Sequence, residues 1–152
     1  MENELINERS NKIKDTRSKI LKDSEAFSGF SVDDIQKAKE FYGQTLGLNV
    51  SEVDEMGLIS LKLAGGSEVM IYPKSDHAPA QFTILNFPIE DIEKVVADLK
   101  TNGVQFEHYE GDLETDEHGI FRGDGPLIAW FKDPAGNIIS VLEKDRVVSD
   151  AV

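Results

Sequence analysis

The chain contains no cysteine. That excludes disulfide frameworks, thiolate metal sites and cysteine nucleophiles, and leaves His, Asp and Glu as the side chains available to ligate a metal. Positive charge is also scarce: 16 Lys and Arg stand against 29 Asp and Glu, a formal net charge of −13. Such a field repels phosphate backbones and anionic bilayers, so neither nucleic acid nor membrane is an expected partner. No apolar run approaches the ~20 residues of a membrane-spanning helix. The opening MENELINERSNKIKDTRSKILKD is charged throughout, without the apolar centre of a secretion signal, and the expected location is the cytoplasm.

Histidine is limited to His77, His108 and His118. Their separate positions favour surface or structural roles; the alternative is a site joining His118 with Asp116, Glu117 or Glu68. There is no HExxH spacing and no G-x-S-x-G elbow. Ala64-Gly65-Gly66-Ser67 lies between two strand candidates, not before a helix N-terminus, and so is no phosphate cradle.

The 152 residues that are present, 39% hydrophobic, suffice for one compact core. Residues 1–24 are polar and free of glycine, with Ile6, Ile13 and Ile20 seven apart beside Leu5 and Leu21; this narrow stripe predicts a helical extension. The domain proper is expected over 25–146. In its first half, AFSGFSV reads as a strand, Asp33 or Asp34 caps a helix burying Ile35, Ala38, Phe41, Tyr42 and Leu46, and strands follow near 48–55, 58–63 and 67–73. In the second, QFTILNFPI is the strand, Glu90-Asp91 the cap, Ile92, Val95, Val96 and Leu99 the buried face. GVQFEHY, PLIAWFK and NIISVLE are the three later strands, the last two joined by the turn Asp133–Asn137. The polar stretch 110–125 is an insertion, either a lid dipping Ile120, Phe121 and Arg122 toward a pocket or a solvated loop.

Val32-Asp33-Asp34-Ile35 superposes on Ile89-Glu90-Asp91-Ile92 at one strand-to-helix junction, so one βαβββ module occurs twice, over 25–73 and 80–144. Side chains alternate along a strand. The face containing Phe30 and Val32 continues through Val69, Ile71, Leu85, Phe87, Ile89, Ile139 and Val141, all apolar and suited to lie under helices. The opposite face carries Phe27, Ser31, Glu68, Met70, Tyr72, Phe82, Ile84, Asn86 and Ser140, a mixture typical of small-molecule cavities. Trp130 is a further candidate wall, its facing not settled by alternation.

With FSVDDIQKAKEFYGQTLGL opening the first copy and AWFKDPAGNIISVLE closing the second, the chain resembles the glyoxalase/bleomycin-resistance/extradiol-dioxygenase (vicinal oxygen chelate) superfamily over residues 26–144. The resemblance implies an α+β fold in which two tandem βαβββ modules form a curved, cup-like mixed sheet with helices on the convex side. It also implies a homodimer, and a ligand in the concave side. Metal-binding members carry His, Gln or Glu at four places, which correspond here to Phe27, Ile84, Met70 and Ser140. None offers an imidazole or carboxylate, so no metal and no other cofactor is expected. The expected function is binding of a small, partly apolar or planar molecule, with Phe27, Ser31, Glu68, Met70, Tyr72, Phe82, Ile84, Asn86, Trp130 and Ser140 as ligand-binding residues. The alternative is a lyase, isomerase or dioxygenase with noncanonical ligands or a lone acid/base such as Glu68; a third reading is a partner-binding module using the N-terminal helix.

Overall fold

The computed structural model describes residues 15–53 and 55–144. Each half builds its own four-stranded sheet. In the first, β1 (Ser28–Val32), β2 (Asn49–Val53), β3 (Leu58–Lys62) and β4 (Glu68–Pro73) are ordered β1-β4-β3-β2. In the second, β5 (Thr83–Ile89), β6 (Ile120–Phe121), β7 (Ile128–Lys132) and β8 (Ile138–Glu143) are ordered β5-β8-β7-β6. The first strand of each module pairs parallel with the last, and the other pairs are antiparallel. The duplicated βαβββ order read from the sequence is therefore present, as two separate hydrogen-bonded sheets.

Helix α1 (Ile35–Glu40) starts where the Asp34 side chain accepts from the amides of Gln36 and Lys37. It runs on into a π-helical turn, Phe41–Thr45, closed by Leu46 N–H donating to Phe41 O at 2.9 Å. Helix α2 (Ile92–Thr101) is capped by Asp91, which accepts from Lys94, and its Ile92 amide donates to the Glu143 carboxylate at the end of β8. The side chain of the last strand thus fixes where the second helix begins.

Alternation sorts the faces as expected. Val32, Val69, Ile71, Ile139 and Val141 are at most 4% exposed, and Phe30, Leu85, Phe87 and Ile89 pack against them. One hydrophobic cluster spans both modules, and Phe41 of the π turn meets Phe131 of β7 with ring centroids 6.3 Å apart.

Two elements differ from expectation. The strand predicted at GVQFEHY contributes only an isolated bridge, Phe106 with Phe131, and the sixth strand is the dipeptide Ile120–Phe121 inside the insertion. Ile120 is 1% exposed and pairs with Ala129 on the helix-facing side, so it fills the core instead of reaching toward a pocket. The insertion is also tied down by charge. Arg122 donates to Asp116 and to Glu93 of α2, both at 2.8 Å, while Asp116 accepts from the amides of His118 and Ile120. Gly119, at φ +87°, lies where a Cβ would come within 2.8 Å of Phe106 Cβ, so this fold of the loop needs glycine there.

The second difference concerns the N-terminal extension. Residues 1–14 lie outside the described residues. Residues 15–24 form a turn at Ile20–Asp23 and no helix, and Ile20 and Leu21 are 87% and 78% exposed. A stripe of so few apolar residues buries too little area to hold a helix without a surface to dock on. Among the described residues, no helix is long and apolar enough to cross a membrane.

Candidate functional site

The parallel edge strands β1 and β5 carry the first residues of each module to one place. Between them, closed on one side by the linker that follows β4, lies a cavity of about 1100 Å³. Six of the sequence-derived candidates line it: Phe27 and Phe82 just before β1 and β5, Ser31 from β1, Glu68 and Tyr72 from β4, and Ile84 from β5. Phe27 and Phe82 are each 69% exposed and Tyr72 39%, so three aromatic rings stand in the open wall. Lining residues that alternation did not point to include Glu25, Ala78, Ala80, Thr83 and Asn137, together with Phe30, Val69 and Leu85 of the opposite parity. Glu25, Ala78 and Ala80 sit before a strand or in the linker, where a two-residue period assigns no face. Asn137 is legible in part, because a Pro-Gly turn bounded by Asp and Asn advertises side-chain hydrogen bonding.

The other four candidates lie on the same sheet faces but outside the cavity lining. Met70 sits between Ser60 on β3 and Gly29 on β1. Ser140, 1% exposed, donates to the Asn86 side-chain oxygen at 2.6 Å and stands opposite Trp130 in the ladder. That register places Trp130 on the concave face, which alternation alone leaves open. Its ring packs against Tyr109 at 5.5 Å and Phe121 at 6.2 Å, so an aromatic group from the insertion lies over the second sheet. Burial, and secondarily the charge of Glu107, raise the Tyr109 phenol above its ordinary pKa.

A buried polar network holds the cavity's floor. Tyr42 donates to Asp133 at 2.7 Å, and Asp133 also accepts from the amides of Ala135 and Asn137 and from the Asn137 side chain. Asn137 donates further to the Ser31 carbonyl at 3.0 Å. The Ser31 hydroxyl bonds His77 Nδ1 at 2.7 Å, and His77 Nε2 bonds the Ala135 carbonyl at 3.0 Å. A carbonyl only accepts, so Nε2 carries the proton and, in the neutral ring, Ser31 donates to Nδ1. Burial first, then the Asp133 charge and hydrogen bond, push the Tyr42 phenol far above its ordinary value and keep it a donor. Gly136, at φ +88°, lets this turn approach Pro79 of the linker; a Cβ there would meet the proline ring at 3.2 Å.

On the rim, Ser60 donates to Glu68 Oε1 at 2.5 Å, orienting the carboxylate. His77 has a bridging structural role, and His118 is exposed beside Glu117, 3.4 Å away. Among the described residues, no three His, Asp or Glu side chains are grouped as a metal site.

Comparison with known proteins gives these features a family. Residues 27–141 match the family model described as the Glyoxalase/Bleomycin resistance protein/Dioxygenase superfamily. A glyoxalase-family protein of Bacillus anthracis superposes with a TM-score of 0.61 at 20% identity, covering 86% of this chain and 100% of that one. TnmS3, an antibiotic binding protein from Streptomyces sp. CB03234, gives 0.59 at 21% identity, covering 81% and 98%. A glyoxalase-family protein from Enterococcus faecalis gives 0.54 at 26% identity, covering 80% and 98%. No curated protein matches the chain. The match over most of its length, on a fold of two βαβββ modules, shows that the chain belongs to the Glyoxalase/Bleomycin resistance protein/Dioxygenase superfamily.

Proposed function

We propose that this chain binds a small, partly apolar or planar molecule in the cavity between β1 and β5, without a metal, as a cytoplasmic homodimer. The observation that carries the reading is the pairing of a cavity of about 1100 Å³ with exposed Phe27, Phe82 and Tyr72 on its wall. Large apolar groups left in contact with water are stabilised by whatever covers them. A flat ligand stacked on these rings, with a second subunit closing the open side, would supply that cover. TnmS3, which shares the fold, is an antibiotic binding protein, and this supports the same class of role.

The residues at the superfamily's metal positions do not fit a divalent ion. Phe27 and Ile84 offer hydrocarbon and Met70 a thioether, and the Ser140 hydroxyl is committed to Asn86. Zinc, nickel or iron sites need three or more convergent nitrogen or oxygen donors. An isomerase or lyase with Glu68 as lone acid/base is favoured only by the Ser60 contact, and Glu68 is exposed to solvent instead of enclosed in the site.

Thermal-shift screening of planar aromatic compounds tests the proposal. A ligand that binds only the folded state, at about 100 times its Kd, adds about 2.7 kcal/mol. Compounds that stabilise the wild type are expected to lose their effect on Phe27→Ala and Phe82→Ala. Absence of any stabilising compound, or hits indifferent to both substitutions, would contradict it.

A further inference from the structure

The charge of the cavity narrows the ligand class, an inference that rests on the pocket reading above. Among the described residues its lining contains two charged groups, Glu25 and Glu68, both carboxylates; no Lys, Arg or His contributes to it. Four aromatic residues, Phe27, Phe30, Tyr72 and Phe82, line the same cavity, and ring faces are negative by quadrupole. The nearest counter-charge along the ladder is Lys62, opposite Glu68 on β3 and not part of the lining. The net charge of the whole chain has the same sign, at −13 formally. Carboxylates beside aromatic faces attract organic cations and repel anions.

We infer that the occupant is an apolar organic cation, a protonated amine or heteroaromatic ring system, seated with its flat body between Phe27 and Phe82 and its charge toward Glu25 and Glu68. The Ser60 hydrogen bond serves this by holding the Glu68 carboxylate in one orientation on the rim. An anionic metabolite, such as a carboxylate or phosphate ester, meets no positive partner in this lining.

Three tricyclic probes of nearly equal shape separate the possibilities: 9-aminoacridine, a cation at neutral pH, acridine, neutral, and acridine-9-carboxylate, an anion. Fluorescence titration of the full chain should give binding in the order cation, neutral, anion. Cation affinity should fall as sodium chloride is raised. The double variant Glu25→Gln, Glu68→Gln should weaken 9-aminoacridine by about fivefold or more and leave acridine unchanged. A glutamine side chain at position 68 retains an oxygen to accept from Ser60, and Glu25 is exposed, so the variant is expected to fold; its circular dichroism checks this. Equal binding of the neutral or anionic ring, or a double variant with wild-type affinity for the cation, overturns the cation assignment and leaves the pocket standing. Failure of all three probes to bind overturns both.

Discussion

Tyr42 and Asp133 stand 91 positions apart in sequence and 2.7 Å apart in space, a single hydrogen bond that ties the first module's helix to the second module's turn. Tyr42→Phe keeps the ring contacts with Phe30 and Phe41 and removes only the donor. Denaturant unfolding should show a loss of about 1–3 kcal/mol. Asp133→Ala removes the acceptor of four hydrogen bonds and should cost more. Phe27→Ala, by contrast, should barely change the stability of the unliganded protein, because a ring 69% exposed contributes little burial. Asp116 supplies a pH dependence. Burial opposes its ionisation, but the Arg122 hydrogen bond, the Ile120 and His118 amides and the Arg122 charge outweigh that and hold its pKa at about 2. A depressed folded-state value means a contribution fully present above the ordinary carboxylate pKa and lost as pH falls from about 4 through about 2. Partial exposure limits it to on the order of 1 kcal/mol. Asp116→Asn should flatten the acid limb of the stability–pH curve by that amount.

Among the elements, helices and the parallel first and last strands are the most legible in the sequence, because each has a start signal and a clear period. Asp34 and Asp91 occupy equivalent caps, and Asp91→Ala should cost about 1 kcal/mol by thermal unfolding. The sixth strand lies away from its expected place for a physical reason. Val104 and Phe106 are buried, so GVQFEHY carries the alternation of a strand, yet its segment has only one bridge to β7 while Ile120–Phe121 takes the ladder. Apolar alternation reports burial, and does not by itself determine which backbone pairs with the edge of β7. The insertion's attachment through Arg122, Asp116 and Glu93 depends on residues 29 positions apart and has no local pattern to reveal it. At Gly119, Ala should clash with Phe106 and detach the loop, seen as increased amide exchange over 115–123.

For the molecule as a whole, composition and duplication establish the sign of the field and the two-module order. What they leave open is which concave residues share a cavity. Alternation puts ten side chains on inner faces or leaves them as candidate walls, but of these only Phe27, Ser31, Glu68, Tyr72, Phe82 and Ile84 line the cavity between β1, β5 and the linker. Glu25 and Asn137 enter through irregular segments, where no period operates. Ile20 and Leu21, at the end of a segment read as helical, are exposed among the described residues.

The central claim is a cavity that binds its ligand without a metal, and elemental analysis of protein purified without chelator or metal-affinity tag tests it most directly. The account predicts no stoichiometric zinc, nickel, manganese or iron, and compound-induced thermal shifts that are the same with and without EDTA. One equivalent of metal per chain, lost on Glu68→Gln or Ser140→Ala, would contradict it.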